Sequence, residues 1–182
     1  PTETLYGLGC VIDNDEAIDK LYKIKSREKE KRFSILFKDL DMVEKFCDLN
    51  TTERDLIENF MPGPLSMLLR IKNDSSIRGS LVGLNNKINC RVSSHPFVVK
   101  LFEFLDVPII STSANISGKE NIFSFKTIYN TFHDLVDIIV DNGDINKSLG
   151  STIIEIDCDN LKVLREGDIK EKDIMVFLHG RN

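Results

Sequence analysis

The chain has 182 residues, 41% of them hydrophobic and 29% charged, a length and composition that suit one folded core and exclude a disordered tail. A net charge of −5 argues against binding nucleic acid over the whole surface. No stretch approaches the roughly 20 apolar residues of a membrane span and no basic-then-apolar leader opens the chain, so the expectation is a cytoplasmic protein with no membrane partner.

The segment Thr2 to Cys10, punctuated by Gly7 and Gly9, reads as a loop running into Val11 and Ile12. Asp13 or Asn14 can cap a helix whose core-facing residues are Ala17, Ile18, Leu21 and Ile24. Basic residues crowd its end: Lys20, Lys23, Lys25, Arg27, Lys29, Lys31 and Arg32 stand against only Glu28 and Glu30 between Lys20 and Arg32. In an acidic chain this concentration of cations marks a local anion site.

Phe33 to Phe37 reads as a strand, followed by helices over Met42 to Cys47 and Thr52 to Phe60, the second with Thr52 and Asp55 as a capping box. Pro62-Gly63-Pro64 ends that run. Leu65 to Ile71 and Ile88 to Val92 read as buried strands separated by a loop over Asn73 to Asn86. Ser94 is expected to cap a helix that starts at Pro96 and continues through Val99, Phe102 and Leu105. Val107 to Ile110 should form a strand that delivers the polar loop Ser111 to Gly118 to its end.

Further on come a helix over Phe125 to Phe132, a strand over Val136 to Val140 and a turn over Asp141 to Asp144. Strands over Ser151 to Ile156 and Leu161 to Arg165 would turn at Asp159-Asn160, and Asp173 to Leu178 would close as a helix. Interleaved helices and strands with a C-terminal hairpin predict an α/β fold with a mixed sheet, in a single domain over residues 1–182.

The four cysteines are far apart, with no histidine at zinc-ligand spacing, and are expected to be reduced structural thiols. No metal site of the protein's own is predicted. Dinucleotide and P-loop fingerprints, H-E-x-x-H and G-x-S-x-G are missing. What remains suits phosphate and carboxylate: Lys25, Arg27, Arg91, Arg165, the Ser111 to Gly118 loop and Ser151-Thr152. Each has a plainer reading. Lys25 and Arg27 also fit a solvated helix end, the loop a simple turn, and Arg165 an exposed edge. Arg91, inside an apolar strand, needs a partner.

Five segments in order, Pro1 to Gly9, Lys25-Ser26-Arg27, Pro62 to Leu65, Ser111 to Gly118 and Gly150 to Ile154, resemble the motifs of the YrdC-like family of threonylcarbamoyl-AMP synthases. The resemblance reaches from Pro1 to about Gly167. It implies a twisted open mixed sheet with flanking helices around a concave electropositive cavity, and a first N-terminal strand that this chain lacks. Lys25 and Arg27 would grip the triphosphate of ATP as the catalytic pair, with Ser113, Asn115 and Arg165 completing the nucleotide contacts. Thr2, Arg91, Ser111 and Ser151 would hold L-threonine.

The implied reaction joins threonine and bicarbonate or carbon dioxide into a carbamate that attacks ATP, with Mg²⁺ accompanying the nucleotide. The product threonylcarbamoyl-AMP would serve a separate tRNA threonylcarbamoyl transferase complex. Glu28, Ser93 and Glu166 stand where the family usually has proline, Lys87 where a threonine often contacts ATP, and Lys119 to Phe123 replaces a Pro/Ser-rich loop. Two alternatives remain: a non-catalytic RNA-binding module for tRNA or double-stranded RNA, and a carbamoyl-adenylating domain.

Overall fold

A computed structural model describes residues 1–77, 79–158 and 160–180. Strand β1 (Gly7–Val11) leads to helix α1 (Asp15–Lys25), which Asn14 caps by accepting from the Ala17 N–H. The helix stops because Ser26 turns into the left-handed region and its N–H returns to the carbonyls of Lys23 and Tyr22. Strand β2 (Ser34–Phe37), helix α2 (Leu40–Phe46), the two-residue strand β3 (Cys47–Asp48), helix α3 (Thr51–Phe60) and strand β4 (Leu65–Ile71) follow. Two short 3₁₀ turns occupy part of the expected loop before β5 (Lys87–Val92). The remaining elements are α4 (Pro96–Leu101), β6 (Ile109–Ser113), α5 (Phe125–Phe132), β7 (Thr152–Asp157), β8 (Asn160–Arg165) and α6 (Glu171–His179).

The strands form one open mixed sheet in the order β1, β6, β2, β5, β4, β7, β8, with β3 on β4. The β2–β5 and β4–β7 pairs are parallel and the others antiparallel. Because successive strand residues point to opposite faces, the register divides the sheet chemically. One face carries Ile35, Phe37, Cys90, Met67, Leu69 and Ile154, none with measurable exposure. All six helices add buried side chains to the same cluster. On the other face Ser111, Ser34 and Asn89 stand side by side through the pairings Ser111–Ser34 and Ser34–Asn89. Arg91 lies two residues further along β5. A helix-covered apolar face thus leaves a polar face free for a site.

Several local expectations are corrected. The capping box of α3 is Asn50 with Glu53, not Thr52 with Asp55: Asn50 Oδ1 accepts from the Glu53 N–H at 2.8 Å and Glu53 Oε2 from the Asn50 N–H at 2.9 Å. His95, not Ser94, caps α4, its Nδ1 accepting from the Phe97 N–H at 3.1 Å. That helix ends at Leu101, short of Leu105, although Phe102 and Leu105 still pack on the core. Gly7 to Val11 and Ser111 to Ser113 are ladder residues rather than loop, because each supplies the other's hydrogen-bonding partner. Val136 to Val140 forms no strand and enters none of the sheet's ladders; Val136 reaches the core while Ile138 is exposed. The C-terminal hairpin forms as expected, Asp159 of its turn lying outside the described residues. Among the described residues no helix is long and apolar enough to cross a membrane.

Candidate functional site

The polar face floors a cavity of about 220 Å³. Its floor includes Ser34 and Leu36 from β2, Asn89 and Arg91 from β5, Ser111 and Ser113 from β6, and Ile153 from β7. Thr2, Thr4 and Tyr6 wall one side, Arg27, Arg32 and Phe33 another, and Gly150, Ser151 and Arg165 a third. Four arginines therefore meet there, and no Asp or Glu is among the lining residues.

Seven of the nine residues singled out from the sequence, Thr2, Arg27, Arg91, Ser111, Ser113, Ser151 and Arg165, come together on this cavity. Lys25 and Asn115 do not line it. Lys25 is 1% exposed, and its ammonium donates to the Ser113 carbonyl at 2.5 Å, the Asn115 carbonyl at 2.7 Å and Asn115 Oδ1 at 3.2 Å. Burial, with the Arg27 charge nearby, pulls its pKa down to about 8. Asn115 accepts from Ser113 Oγ at 2.7 Å and donates to the Lys119 carbonyl at 2.5 Å. Lys25 and Asn115 are thus the brace behind the end of β6, where Ser113 stands.

Arg27 and Arg165 are aimed by backbone carbonyls. Arg27 donates through Nε to the Lys31 carbonyl at 2.7 Å and through Nη2 to that of Arg32 at 2.9 Å, with its guanidinium over the Phe33 ring. Arg165 donates to the Ser151 carbonyl from Nε at 3.1 Å and Nη2 at 2.6 Å, and to Ser151 Oγ at 3.1 Å. Burial lowers the pKa of both, and for Arg165 the Arg91 charge adds to it. Ser151 also accepts from Ser66 Oγ at 2.9 Å. The wall behind it is tight: a Cβ on Gly167 would overlap the carbonyl oxygen of Gly150, so only glycine permits this approach.

Arg91 has the partner its sequence context demanded, namely Glu3 Oε1 at 2.8 Å from Nη2. Its Nε donates to the Gly63 carbonyl at 3.2 Å, and Nη1 and Nη2 donate to Thr4 Oγ1 at 3.2 and 3.3 Å. Ser93, where the family pattern has proline, donates to Glu3 Oε2 at 2.5 Å. Burial pushes the Glu3 pKa up, but Arg91 and Ser93 outweigh it and hold the carboxyl below its ordinary value. Thr2 is held by its own turn, donating to the Leu5 carbonyl at 2.8 Å. Lys87 is neutralised by Glu155 at 2.6 Å.

Sequence reasoning missed Arg32 as a wall residue, the floor pair Ser34 and Asn89, and the carboxylate Glu3. A period of two along β5 ties Asn89 to Arg91 and could have found it; nothing local points from Glu3 to a strand 88 residues away. The site can grip anions and hold a carboxylate, but it offers no activated sulfur nucleophile. The four cysteines are free, and burial drives the thiols of Cys10 to about 11, Cys47 to about 12 and Cys90 well above its ordinary value. Among the described residues no three His, Cys, Asp or Glu side chains gather where they could hold a metal ion.

The family described as Sua5_yciO_yrdC, telomere recombination, matches residues 1–167. A Methanocaldococcus jannaschii protein named "Putative threonylcarbamoyl-AMP synthase" is 35% identical over 168 residues, covering 92% of this chain and 78% of its own. The fold is similar to that of P. abyssi Sua5 complexed with L-threonine, with a TM-score of 0.86 and 27% identity over 99% of this chain. This chain spans about half of that protein, 52% of its length. E. coli YciO is similar at a TM-score of 0.85 and 26% identity, over 96% of this chain and 84% of its own. Matched along nearly all its length in sequence, and in a sheet whose polar face gathers four arginines, the chain belongs to the Sua5/YciO/YrdC family.

Proposed function

We propose that the arginine-lined cavity binds ATP and L-threonine together and that the protein is a threonylcarbamoyl-AMP synthase, a nucleotidyltransferase. The observation that carries this reading is a cavity with four arginines and no lining carboxylate, which suits a polyanion beside a smaller carboxylate. The name of the M. jannaschii relative and the threonine complex of P. abyssi Sua5 support it.

Arg27 and Arg165, with Arg32 on the Arg27 wall, hold the triphosphate, and Ser113 adds a neutral contact. Lys25 and Asn115 act on the nucleotide by fixing the end of β6 that carries Ser113. Arg91 takes the threonine carboxylate, with Thr2, Ser111 and Ser151 around it. The threonine amine adds to carbon dioxide, or to bicarbonate with loss of water, and gives up a proton to form a carbamate. A carbamate oxygen attacks the α-phosphorus, the bond to the β-phosphate oxygen breaks, and pyrophosphate leaves. Mg²⁺ enters as part of the ATP substrate, where it spreads the phosphate charge. The arginines lower the barrier by juxtaposing two anions and holding charge that develops at phosphorus, so no covalent intermediate with the protein is needed. The product goes on to a tRNA threonylcarbamoyl transferase complex.

The test is purified protein with ATP, Mg²⁺, bicarbonate and labelled threonine, followed by chromatography for a threonine-containing adenylate and by a pyrophosphate assay. Both products are expected in equal amounts, and leaving out threonine should stop pyrophosphate release. Pyrophosphate release that ignores threonine would overturn the reading.

A further inference from the structure

Asn89 stands at the centre of the cavity floor and is not accounted for by the contacts assigned above. Its Nδ2 donates to Ser34 Oγ at 2.7 Å, while its Oδ1 is buried without a partner among the described residues. A buried acceptor left empty is costly, and a strand holds it too rigidly to turn toward water. Ser34, which stands directly across the β2–β5 ladder, spends its oxygen on Asn89, and its own hydroxyl proton has no acceptor among the described residues. The floor therefore presents an acceptor and a donor side by side, both uncharged.

Such a pair disfavours the inner phosphates of a nucleotide, which have no proton to give at neutral pH, and an ammonium would satisfy only the acceptor, because it cannot accept from Ser34. A hydroxyl does both. It donates to Asn89 Oδ1 and accepts from Ser34 Oγ–H. The position fits one on the amino acid, because Arg91 lies two residues along the same face of β5, roughly 7 Å away along the strand. One amino acid held by its carboxylate at Arg91 and by a β-hydroxyl at Asn89 bridges that span once two hydrogen bonds of about 2.9 Å are included.

Resting on the proposed function, we propose that Asn89, seconded by Ser34, is the specificity-determining contact that reads the side-chain hydroxyl of the amino-acid substrate. A site built around a hydroxyl rejects the analogue that lacks it far more strongly than an apolar pocket rejects a missing methylene, because the protein's polar atoms are then stranded.

The experiment compares L-threonine with L-2-aminobutyrate, the same four-carbon amino acid without the hydroxyl, in amino-acid-dependent pyrophosphate release by the full chain. Wild type should favour threonine by about 100-fold or more in kcat/KM, and Asn89→Ala should cut that preference at least about 10-fold, wholly through the threonine arm. Ser34→Ala, which leaves the carboxamide in place, should lower the same preference by a smaller factor and provides the second variant should Asn89→Ala melt early. An unchanged preference in both variants, or equal loss on both substrates, overturns the inference while leaving the proposed function standing. Wild type that releases no pyrophosphate in response to either amino acid overturns both.

Discussion

Arg91 and Arg165 reach the same cavity from β5 and β8, yet only one of them is neutralised. Arg91 has a carboxylate at 2.8 Å, itself pinned by Ser93. Arg165, like Arg27, is held only by carbonyl and hydroxyl oxygens and has no ion-pair partner among the described residues. The proximity of Arg91 adds to the burial that lowers the Arg165 pKa. One end of the site is therefore nearly balanced in charge and geometrically fixed. The other holds positive charge that folding leaves uncompensated, which an arriving polyanion can satisfy. The uncompensated end suits phosphates, and the balanced end suits a ligand that exchanges one carboxylate interaction for another.

The sharpest way to break this comparison is to remove the unpaired cations. Arg165→Ala and Arg27→Ala should each lower kcat/KM for ATP by about 100-fold, the loss of one or two charge-assisted hydrogen bonds. Each should also reduce the rise in melting temperature that pyrophosphate gives the wild type, because a ligand stabilises only the fold that binds it. Equal pyrophosphate stabilisation in variant and wild type would show that these arginines do not hold the anion.

A smaller effect is expected at the balanced end. Glu3→Gln keeps the shape but loses the charge, and should cost about 1–2 kcal/mol in urea unfolding at neutral pH. Since the fold holds the Glu3 pKa below its ordinary value, its contribution is present above about 4.5 and is lost as the pH falls through the lower, folded value. Wild type and variant should accordingly converge in stability on acidification; a constant gap down to acid pH would remove Glu3 from the balance.

The last effect belongs to the brace and shows only at alkaline pH. Lys25 titrates near 8 in the fold against an ordinary 10.5, so between those values the unfolded chain carries more protons and stability rises with pH. The buried thiols act in the opposite direction at alkaline pH but are common to wild type and Lys25→Met. The stability of wild type relative to that variant should therefore grow by about 2–3 kcal/mol from pH 8 to pH 10.5, and a flat difference would mean that the ammonium is not desolvated.

The pattern of elements was legible because it rests on local chemistry. The 3.6-residue spacing of Ile18 and Leu21 announced α1, and the apolar run from Leu65 to Ile71 announced β4. Where a local rule had two candidates within a couple of residues it chose the wrong one, as at Asn50 against Thr52 and His95 against Ser94, since only the backbone path decides which side chain meets a free N–H. Val136 to Val140 shows the limit of strand propensity: β-branched residues favour extended chain, but a strand exists only beside a partner.

The same division runs through the site. The sequence by itself determined the supply of cations, the Gly-rich and Ser-rich segments and the motifs that mark the family, because these are matters of residue type and spacing. Only the tertiary structure decided that Lys25 braces a loop while Arg27, two residues on, lines the cavity. The left-handed turn at Ser26 separates their directions. It alone placed Glu3 against Arg91 and Ser34 against Asn89. Those partners come from distant parts of the chain, and side chains so separated acquire a common face only when strand order and register bring them together.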